Sequence, residues 1–401
     1  MRVRIITIDN IGIRKYGDFV YFILLSAFLL PSCKNAESGG LMEISVDIGN
    51  NITFPLSEIT EEITQIKLEL TDESIINPDK VRKVFLCDSL VFIAESEQLL
   101  VFGIDGKLVR SIGSKGQGPG EYIFIQGFTF DEKNKVIYVI NNRIQIISYD
   151  LNGNFFKERT FIDSNHGQIL CIEHFNDDLL LLTENIIKNQ DKENERLMRY
   201  HNVLYKLNNE MQFIDSCFIR DDYWAINFSK GLLDNYLTHN NLDIYFYYPE
   251  LYSYAINTTP SLNQQFGYIE RNLPDTLYRI ENNQLIPELK LTFKRNGRDF
   301  DADKNINLYN IYRSSRYVFV KYTNALVNEP SIFFCYDTSK KIGYNFTNYK
   351  DDFNNIEKDV FYGPFRPISN NTELFYFIHT NIESDDLEEP NPTLYIGKLK
   401  E

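Results

Sequence analysis

The sequence predicts an all-β fold, a six-bladed β-propeller of four-stranded antiparallel blades whose ring is closed by an N-terminal strand. Short strand-like runs recur in groups of four, and hairpin turns with glycine return at a similar position in the first groups. Aromatic residues, which favour strands, make up 14% of the 401 residues. No helical apolar period is sustained beyond the N-terminal segment, so a helical fold is not indicated.

The first 32 residues have the organisation of a signal peptide. The basic residues of its first half are Arg2, Arg4, Arg14 and Lys15. An apolar run of twelve residues, Phe19 to Leu30, follows. It is shorter than the roughly 20 residues of a membrane-spanning helix and suits a signal peptide. An ordinary cleaved signal or an uncleaved anchor is the alternative.

The motif LPSC, which ends at Cys33, resembles the lipobox of bacterial lipoproteins. This resemblance implies diacylation of Cys33 and cleavage before it, so that lipid chains attach the protein to a membrane without spanning it. We therefore predict a lipoprotein signal peptide at 1–32, a lipidated tether at 33–42 and a propeller domain at 43–401. The predicted location is the cell envelope, as an outer-membrane lipoprotein on its periplasmic or surface face.

Charge and cysteine content exclude some classes of partner and site. The net charge of −15 would repel a phosphate backbone, so we expect no nucleic-acid partner. Four further cysteines lie in separate strand-like runs without a CxxC motif, and a zinc knuckle is therefore not supported. They are Cys87, Cys171, Cys217 and Cys335. We expect small buried apolar residues here, although an exported protein can also form disulfides.

The first two predicted blades carry the clearest repeat. VRKVFLC, SLVFIAES, QLLVFGI and KLVRSIG give four strands, and FIQGFTFDEKN, VIYVINN, RIQIISYDLNG and FFKERTF give four more. Asp105-Gly106 and Asn152-Gly153 are predicted hairpin turns, and their glycines lie 47 residues apart (153 − 106). A period of about 40–50 residues with four strands is typical of a propeller blade.

Four later copies complete the predicted ring. The third blade includes a charged insertion near Ile187 to Tyr200, predicted to be an exposed loop. The fourth spans DIYFYYPELYSY and DTLYRIENNQLIPELKLTF, with Asn282-Asn283 at the turn, and the fifth contains RYVFVKY, SIFFCYDTSKK and IGYNF. The sixth shows ELFYFIH, TLYIGKLK and a first strand near Phe365 to Ile368. Its missing last strand is predicted to be ITQIKLEL from the N-terminus, which removes the open sheet edges.

Three segments together resemble one family, the NHL-related six-bladed β-propeller lipoproteins common in gut-type Gram-negative bacteria. They are the lipobox at Cys33, IKLELTDESII at 66–76 and IGSKGQGPGEY at 112–122, and DTLYRI at 275–280 is also similar. The resemblance implies a six-bladed propeller. It supplies no established activity and no catalytic residues.

The segment GSKGQGPGEY, Gly113 to Tyr122, is the first candidate site. It is not a P-loop, because no GK[ST] follows, and it does not open a helix. We interpret it as a tight turn between the first two blades, in which Gly116, Gly118 and Gly120 are free to take positive φ and Pro119 fixes the bend. The alternative is a ligand-binding loop. In either case Glu121 can accept hydrogen bonds from loop amides, and Tyr122 can lock the loop on the blade.

Two further candidate sites have a structural alternative. Asp299, Asp301 and Asp303 alternate as Ca²⁺ ligands do, but Lys304 and Asn310 stand where a calcium loop needs glycine and glutamate, so an exposed acidic loop is the preferred interpretation. Tyr223-Trp224 could stack on a glycan or contact a peptide, and packing between blades is the alternative. No other cofactor is indicated.

The sequence favours a lipid-anchored binding module in the cell envelope, with an envelope protein or a glycan as its partner. The alternative is a metal-dependent hydrolase or lyase that works at the central channel, with ligands from different blades. No HExxH or GxSxG motif is present, so no catalytic residue is nominated.

Overall fold

Six sheets of four or more strands form the blades of a ring, and the predicted six-bladed β-propeller is confirmed. The computed structural model describes residues 41–49, 51–161, 166–175, 177–188, 197–225, 244–247, 252–256, 267–270, 275–281, 284–300, 302–324, 332–353, 360–361, 366–368, 371–379 and 390–401. Helical structure within these ranges is limited to two 3₁₀ turns, Leu56–Glu58 and Pro78–Lys80, and the four-residue helix α1, Ala302–Asn305. None of the helices in these ranges is long and apolar enough to cross a membrane.

Three N-terminal strands precede the blades. The strands of blades I and II lie close to the positions that the sequence predicted. The N-terminal strands are β1 (Met42–Asp47), β2 (Asn51–Pro55) and β3 (Thr60–Lys67). Blade I comprises β4 (Lys83–Cys87), β5 (Leu90–Ala94), β6 (Leu99–Gly103) and β7 (Leu108–Ser111). A two-stranded ribbon, β8 (Ser114–Lys115) and β9 (Glu121–Tyr122), leads to blade II. Blade II comprises β10 (Ile125–Asp131), β11 (Val136–Asn141), β12 (Gln145–Asp150) and β13 (Phe155–Thr160).

Blade III has longer strands than the sequence predicted. It comprises β14 (Gln168–Phe175), β15 (Asp178–Lys188), β16 (Leu197–Leu207) and β17 (Phe213–Ala225). The prediction of a loop near 187–200 was wrong at both ends, because Lys188 pairs with Met198 in an extended hairpin. The ladder continues into the charged insertion as far as this pair, and residues 189–196 lie outside the described residues.

Blades IV to VI were predicted less completely. Blade IV contains β18 (Ile244–Tyr247), β19 (Tyr252–Ile256), β21 (Thr276–Glu281) and β22 (Gln284–Arg295), while β20 (Gly267–Glu270) pairs with blade III. The predicted turn at Asn282-Asn283 lies outside the described residues. The two-residue strand β23 (Arg298–Asp299) pairs with β22. Blade V is β24 (Ile306–Arg313), β25 (Tyr317–Asn324), β26 (Ile332–Asp337) and β27 (Ile342–Lys350), with β28 (Val360–Phe361) beside β27. Blade VI is β29 (Arg366–Ile368), β30 (Asn371–His379) and β31 (Thr393–Leu399).

The N-terminal segment Met42–Lys67 runs along the outer edges of the last three blades. Strand β1 pairs in parallel with β22 of blade IV, and β2 pairs in parallel with β27 of blade V. Strand β3 pairs antiparallel with β31 and supplies the fourth strand of blade VI. The predicted closure by an N-terminal strand is therefore confirmed, and β1 and β2 add fifth strands that were not predicted.

Buried apolar clusters join neighbouring blades. One cluster joins blades I and II around Phe92 and Phe128, and another joins blades V and VI around Phe346 and Tyr395. Phe54 of β2 belongs to the second cluster, is fully buried and stacks on Phe346 with ring centroids 4.7 Å apart. The N-terminal segment is thus part of the core as well as of the sheets.

The four cysteines of the domain are free thiols, as the expectation of small buried side chains implied. Cys87, Cys217 and Cys335 are buried, and Cys171 is half-buried. Burial raises the pKa of the Cys335 thiol, which keeps it protonated and unreactive.

The turn between the third and fourth strands packs against the end of the preceding blade. At Gly106, φ is +82°, and an added Cβ would lie 1.9 Å from the carbonyl oxygen of Lys67. Gly153 (φ +84°) approaches Ser111 in the same way. Met211 occupies the equivalent place in blade III with φ 59°, and its N–H closes the turn onto the carbonyl of Asn208 as the glycines close theirs.

We predict that Gly106→Ala destabilises the ring more than Gly297→Ala, although both residues have positive φ. Gly297 has open space around its Cα, so alanine there costs only the backbone strain of about 1 kcal/mol. The clash with Lys67 at Gly106 adds about 1–3 kcal/mol, since backbone must move. Urea unfolding of the two variants measures this difference, and equal losses would show that the turn does not press on the preceding blade.

Candidate functional site

The connector between blades I and II, Gly113–Tyr122, is a compact structural unit. Its ends, β8 and β9, pair in parallel, as Ser114 aligns with Glu121 and Lys115 with Tyr122. Of the three glycines expected to be free to take positive φ, only Gly120 does so, with φ +73°, and Gly113 adds a second such position. Gly116 and Gly118 do not take positive φ.

At positions 116 and 118, glycine allows the backbone to lie close to the carboxylate of Glu121. A Cβ on Gly116 would lie 1.9 Å from a carboxylate oxygen of Glu121, and one on Gly118 would lie 3.1 Å from the same oxygen. The N–H of Gly118 donates to Glu121 at 2.8 Å, which is the predicted contact between this carboxylate and a loop amide. The connector therefore wraps around the Glu121 side chain.

Two buried tyrosines hold the connector on the blades. The Tyr122 hydroxyl donates to the carbonyl of Ile112 at 3.1 Å, and the Tyr149 hydroxyl of blade II donates to the carbonyl of Gly120 at 2.9 Å. Burial raises the pKa of Tyr122 to about 12, so both partners of its hydrogen bond stay neutral at physiological pH. The polar groups that the sequence nominated as a binding loop are thus engaged within the protein.

A cleft of about 380 Å³ lies beside this connector. Three chain segments form it: the stretch that leads from β3 to blade I, the turn between β5 and β6, and β8 of the connector. Its lining residues are Asp72, Ile75, Lys80, Glu95, Glu97, Gln98 and Lys115. The volume falls within the range of about 300–1,000 Å³ that small-molecule sites occupy. We take this cleft as the candidate functional site.

The wall of the cleft is organised around the carboxylate of Glu95, which is only 5% exposed. One oxygen accepts the N–H of Asn77 at 2.5 Å, and the other accepts the side-chain amide of Gln98 at 2.7 Å. The same Gln98 amide donates to the carbonyl of Ile75 at 2.6 Å. Burial raises the pKa of Glu95, and these two hydrogen bonds oppose that rise. The carboxylate thereby ties the incoming segment to the turn of blade I.

The rim of the cleft is charged. Lys115 and Glu97 form an ion pair at 2.9 Å, in which both side chains are more than half exposed. The hydrogen bond and charge of Lys115 lower the pKa of Glu97, so the pair stays ionised at neutral pH. Lys80 brings a second ammonium group and Asp72 another carboxylate. Groups of both signs therefore surround one opening.

Sequence reasoning missed most of this cleft. Lys115 belongs to the segment that was a candidate site, and Asp72 and Ile75 belong to IKLELTDESII, which was noted only for its resemblance to a family. Glu95 and Gln98 lie in an ESEQ turn between two strand runs, and such turns are polar in most proteins. A second signal would have been needed, such as the knowledge that the stretch 68–80 folds over that turn.

The first strands of blades I, II and III bring a polar cluster to the inner side of the ring. Lys83 of β4 lies 2.5 Å from Glu173 of β14 and donates to the carbonyl of Phe128 on β10 at 2.8 Å. Thr129 donates to the second oxygen of Glu173 at 3.2 Å. Burial raises the pKa of Glu173, while the Lys83 ammonium and the Thr129 hydroxyl oppose that rise. The cluster links three blades through one half-buried ion pair and its hydrogen bonds.

The metal-dependent enzyme that the sequence leaves as an alternative remains a prediction. No group of three or more His, Cys, Asp or Glu side chains there could hold a metal ion. Asp299 lies exposed in β23, Asp303 lies in α1 and its side chain is not described, and Asp301 lies outside the described residues. The calcium site remains a prediction.

The two remaining predicted sites are the aromatic pair Tyr223-Trp224 and the lipidated Cys33. Tyr223 and Trp224 lie in β17, where they pair with Arg199 and Met198 of β16. Trp224 also pairs with Tyr268 of β20. Their role in binding remains a prediction. Cys33 lies outside the described residues, so lipidation also remains a prediction.

His174 of blade III lies beside Asp131 of blade II, close to where the first strand of each blade ends. Nε2 of His174 lies 3.3 Å from a carboxylate oxygen of Asp131, which also accepts hydrogen bonds from Asn134. Burial lowers the pKa of His174 from 6.5, while Asp131, Asp177 and Asp178 oppose that change. His174 is therefore neutral at physiological pH.

Comparisons with known proteins find one matching family and solved structures that are similar to this chain. Residues 41–400 match a family described as a domain of unknown function, DUF4934. A crystal structure of a candidate exported protein from Bacteroides fragilis is 17% identical, covers 90% of this chain and 100% of its own, and has a TM-score of 0.57. A DUF4221 member from Bacteroides vulgatus is 11% identical, with coverage of 85% and 97% and a TM-score of 0.46. No curated protein matches the sequence.

We predict that His174 makes the protein less stable in mild acid. The unfolded chain takes up a proton near pH 6.5, whereas the folded chain takes it up only at lower pH, so stability is lost as pH falls below about 6.5. Between pH 7 and about 5.5 the loss is about 1 kcal/mol at most. Urea unfolding at both pH values measures it in the wild type, in His174→Gln and in His379→Gln as control. An unchanged pH dependence in His174→Gln would contradict this assignment.

Proposed function

We propose that this chain, which belongs to the DUF4934 family, is a ligand-binding module of the bacterial cell envelope, anchored by lipid at Cys33. The family supplies the domain, 41–400, and no activity. The observation that carries the proposal is the cleft of about 380 Å³ beside the blade I–II connector, in which polar groups from three chain segments converge. Convergent polar groups in a concave site are the usual mark of small-molecule binding.

The walls of the cleft are set in place before any ligand arrives. Two hydrogen bonds fix the segment, one from the N–H of Asn77 to Glu95 at 2.5 Å and one from Gln98 to the carbonyl of Ile75 at 2.6 Å. A third, of 2.7 Å, joins the side chains of Gln98 and Glu95 to each other. The third segment, at Lys115, is held by the connector that Tyr122 and Tyr149 anchor. A preformed site loses little conformational entropy on binding, which favours a role in recognition.

The location in the envelope is supported by the N-terminal sequence and by one similar structure. The basic start, the apolar run 19–30 and LPSC at Cys33 together have the order of a lipoprotein signal. The candidate exported protein from B. fragilis has the same fold along its whole length. An envelope binding protein also agrees with the acidic chain, whose net charge is −15.

The anchor is tested with the full-length gene product. We expect Cys33→Ser to lose incorporation of a fatty-acid probe and to leave the membrane fraction or remain unprocessed, because serine cannot carry the thioether-linked lipid. Cys87→Ser serves as control, since Cys87 lies buried in β4. Equal labelling of Cys33→Ser and the wild type would exclude the anchor.

Binding is tested with two isoleucines of equal exposure. Ile75 borders the cleft and is 60% exposed, whereas Ile104 is 61% exposed in the turn at the opposite end of β6. The probes are pools of neutral sugars, acidic sugars, amino acids and short peptides, measured by equilibrium dialysis against the purified full-length chain. We expect Ile75→Asp to weaken binding about tenfold or more, and Ile104→Asp to leave it unchanged. Absence of binding in every pool, or equal binding by both variants, would overturn the proposal.

A further inference from the structure

The chemistry of the cleft restricts the charge of its ligand. Carboxylates of Asp72, Glu95 and Glu97 share one cavity with the ammonium groups of Lys80 and Lys115. An anionic ligand would bring its charge close to three carboxylates, and a cationic ligand would bring its charge close to two ammonium groups. Like charges that approach in this way oppose binding. A ligand without net charge avoids both penalties.

The ion pair within the cleft reduces the electrostatic attraction that a charged ligand could gain there. Glu97 and Lys115 are 2.9 Å apart and largely neutralise each other. Glu95 is buried behind the hydrogen bonds of Asn77 and Gln98. A charged ligand that displaced one of these partners would leave a carboxylate or ammonium group without its hydrogen bond or ion pair, which costs free energy.

The arrangement does suit hydroxyl groups. A hydroxyl donates one hydrogen bond and accepts others, so it can meet a carboxylate or an ammonium group without a change of orientation of the whole ligand. Ile75 adds an exposed apolar side chain at the same cleft, which can cover a C–H face. Alternating hydroxyl and C–H surface is the chemistry of a sugar ring.

We propose that the cleft binds a neutral polyhydroxylated ligand, a neutral glycan, through the charged groups of its rim and the side chain of Ile75. This inference rests on the proposed function and specifies its ligand class. Lys80 and Lys115 donate to hydroxyl oxygens, and Asp72 and Glu97 accept from hydroxyl groups. Glu95 and Gln98 hold the wall and do not need to release their own contacts.

The experiment uses the full-length chain and two sets of oligosaccharides of equal length, one neutral and one carrying uronic acids or amino sugars. Calorimetry or fluorescence polarisation gives their affinities. We expect the neutral set to bind and its affinity to change by less than about twofold between about 20 mM and 500 mM salt, since no net charge is screened. The charged set is expected to bind at least about tenfold more weakly.

Two variants at one position test the role of the rim. Lys80→Gln removes the charge and keeps hydrogen-bond donors, whereas Lys80→Leu removes both. We expect near wild-type affinity for a neutral glycan with Lys80→Gln and a loss of about three- to tenfold with Lys80→Leu. The controls are Lys133→Gln and Lys133→Leu, and both are expected to leave the affinity unchanged. Lys133 forms an exposed ion pair with Asp177 and does not line the cleft.

The outcomes separate this inference from the proposed function. Binding of the charged set or of peptides in the cleft, with loss in Ile75→Asp, would overturn the neutral-glycan assignment and leave the binding module intact. Binding of neutral glycans that is unchanged in both Ile75→Asp and Lys80→Leu would overturn the assignment of this cleft. Absence of binding to every probe would overturn both.

Discussion

The pairing of β3 with β31 is the interaction on which the ring depends. Blade VI supplies three strands from the end of the chain, and Thr60–Lys67 adds the fourth from its beginning. Without that strand the edge of β31 would be open, and open edges are sites of aggregation. The structure extends the same principle to blades IV and V, whose outer strands are covered by β1 and β2 in parallel pairing. One N-terminal segment therefore closes the ring and protects three edges.

The site follows from this closure. After β3 ends at Lys67, the chain must cross to the inner strand of blade I, and the residues that make this crossing form one side of the cleft. Glu95 fixes their path by accepting the N–H of Asn77. The connector between blades I and II supplies the other side through Lys115. The cleft thus lies where two inter-blade crossings meet at the turn of blade I.

Much of the fold could be predicted from the sequence, and the reason is local. The strands of blades I and II are short apolar runs, and Gly106 and Gly153 mark their turns, so their positions agree with the structure. Met211 makes the same turn without a glycine and gave no such indication. The pairing of β1 and β2 joins residues about 250–300 positions apart, which no local pattern reveals. The cleft was missed for a related reason, because its charged residues resemble ordinary solvated turns until three separate segments are brought together.

The order of the strands also determines when the ring can form. Met42–Lys67 is synthesised first, yet its partners lie between Leu289 and Leu399. These contacts span most of the chain, and contacts of such sequence separation form late and slowly. A growing chain therefore carries an N-terminal segment whose partner strands have not yet been made. The pairing of β3 with β31 can form only after β31, the last strand, has been made, so the ring closes at the end of synthesis.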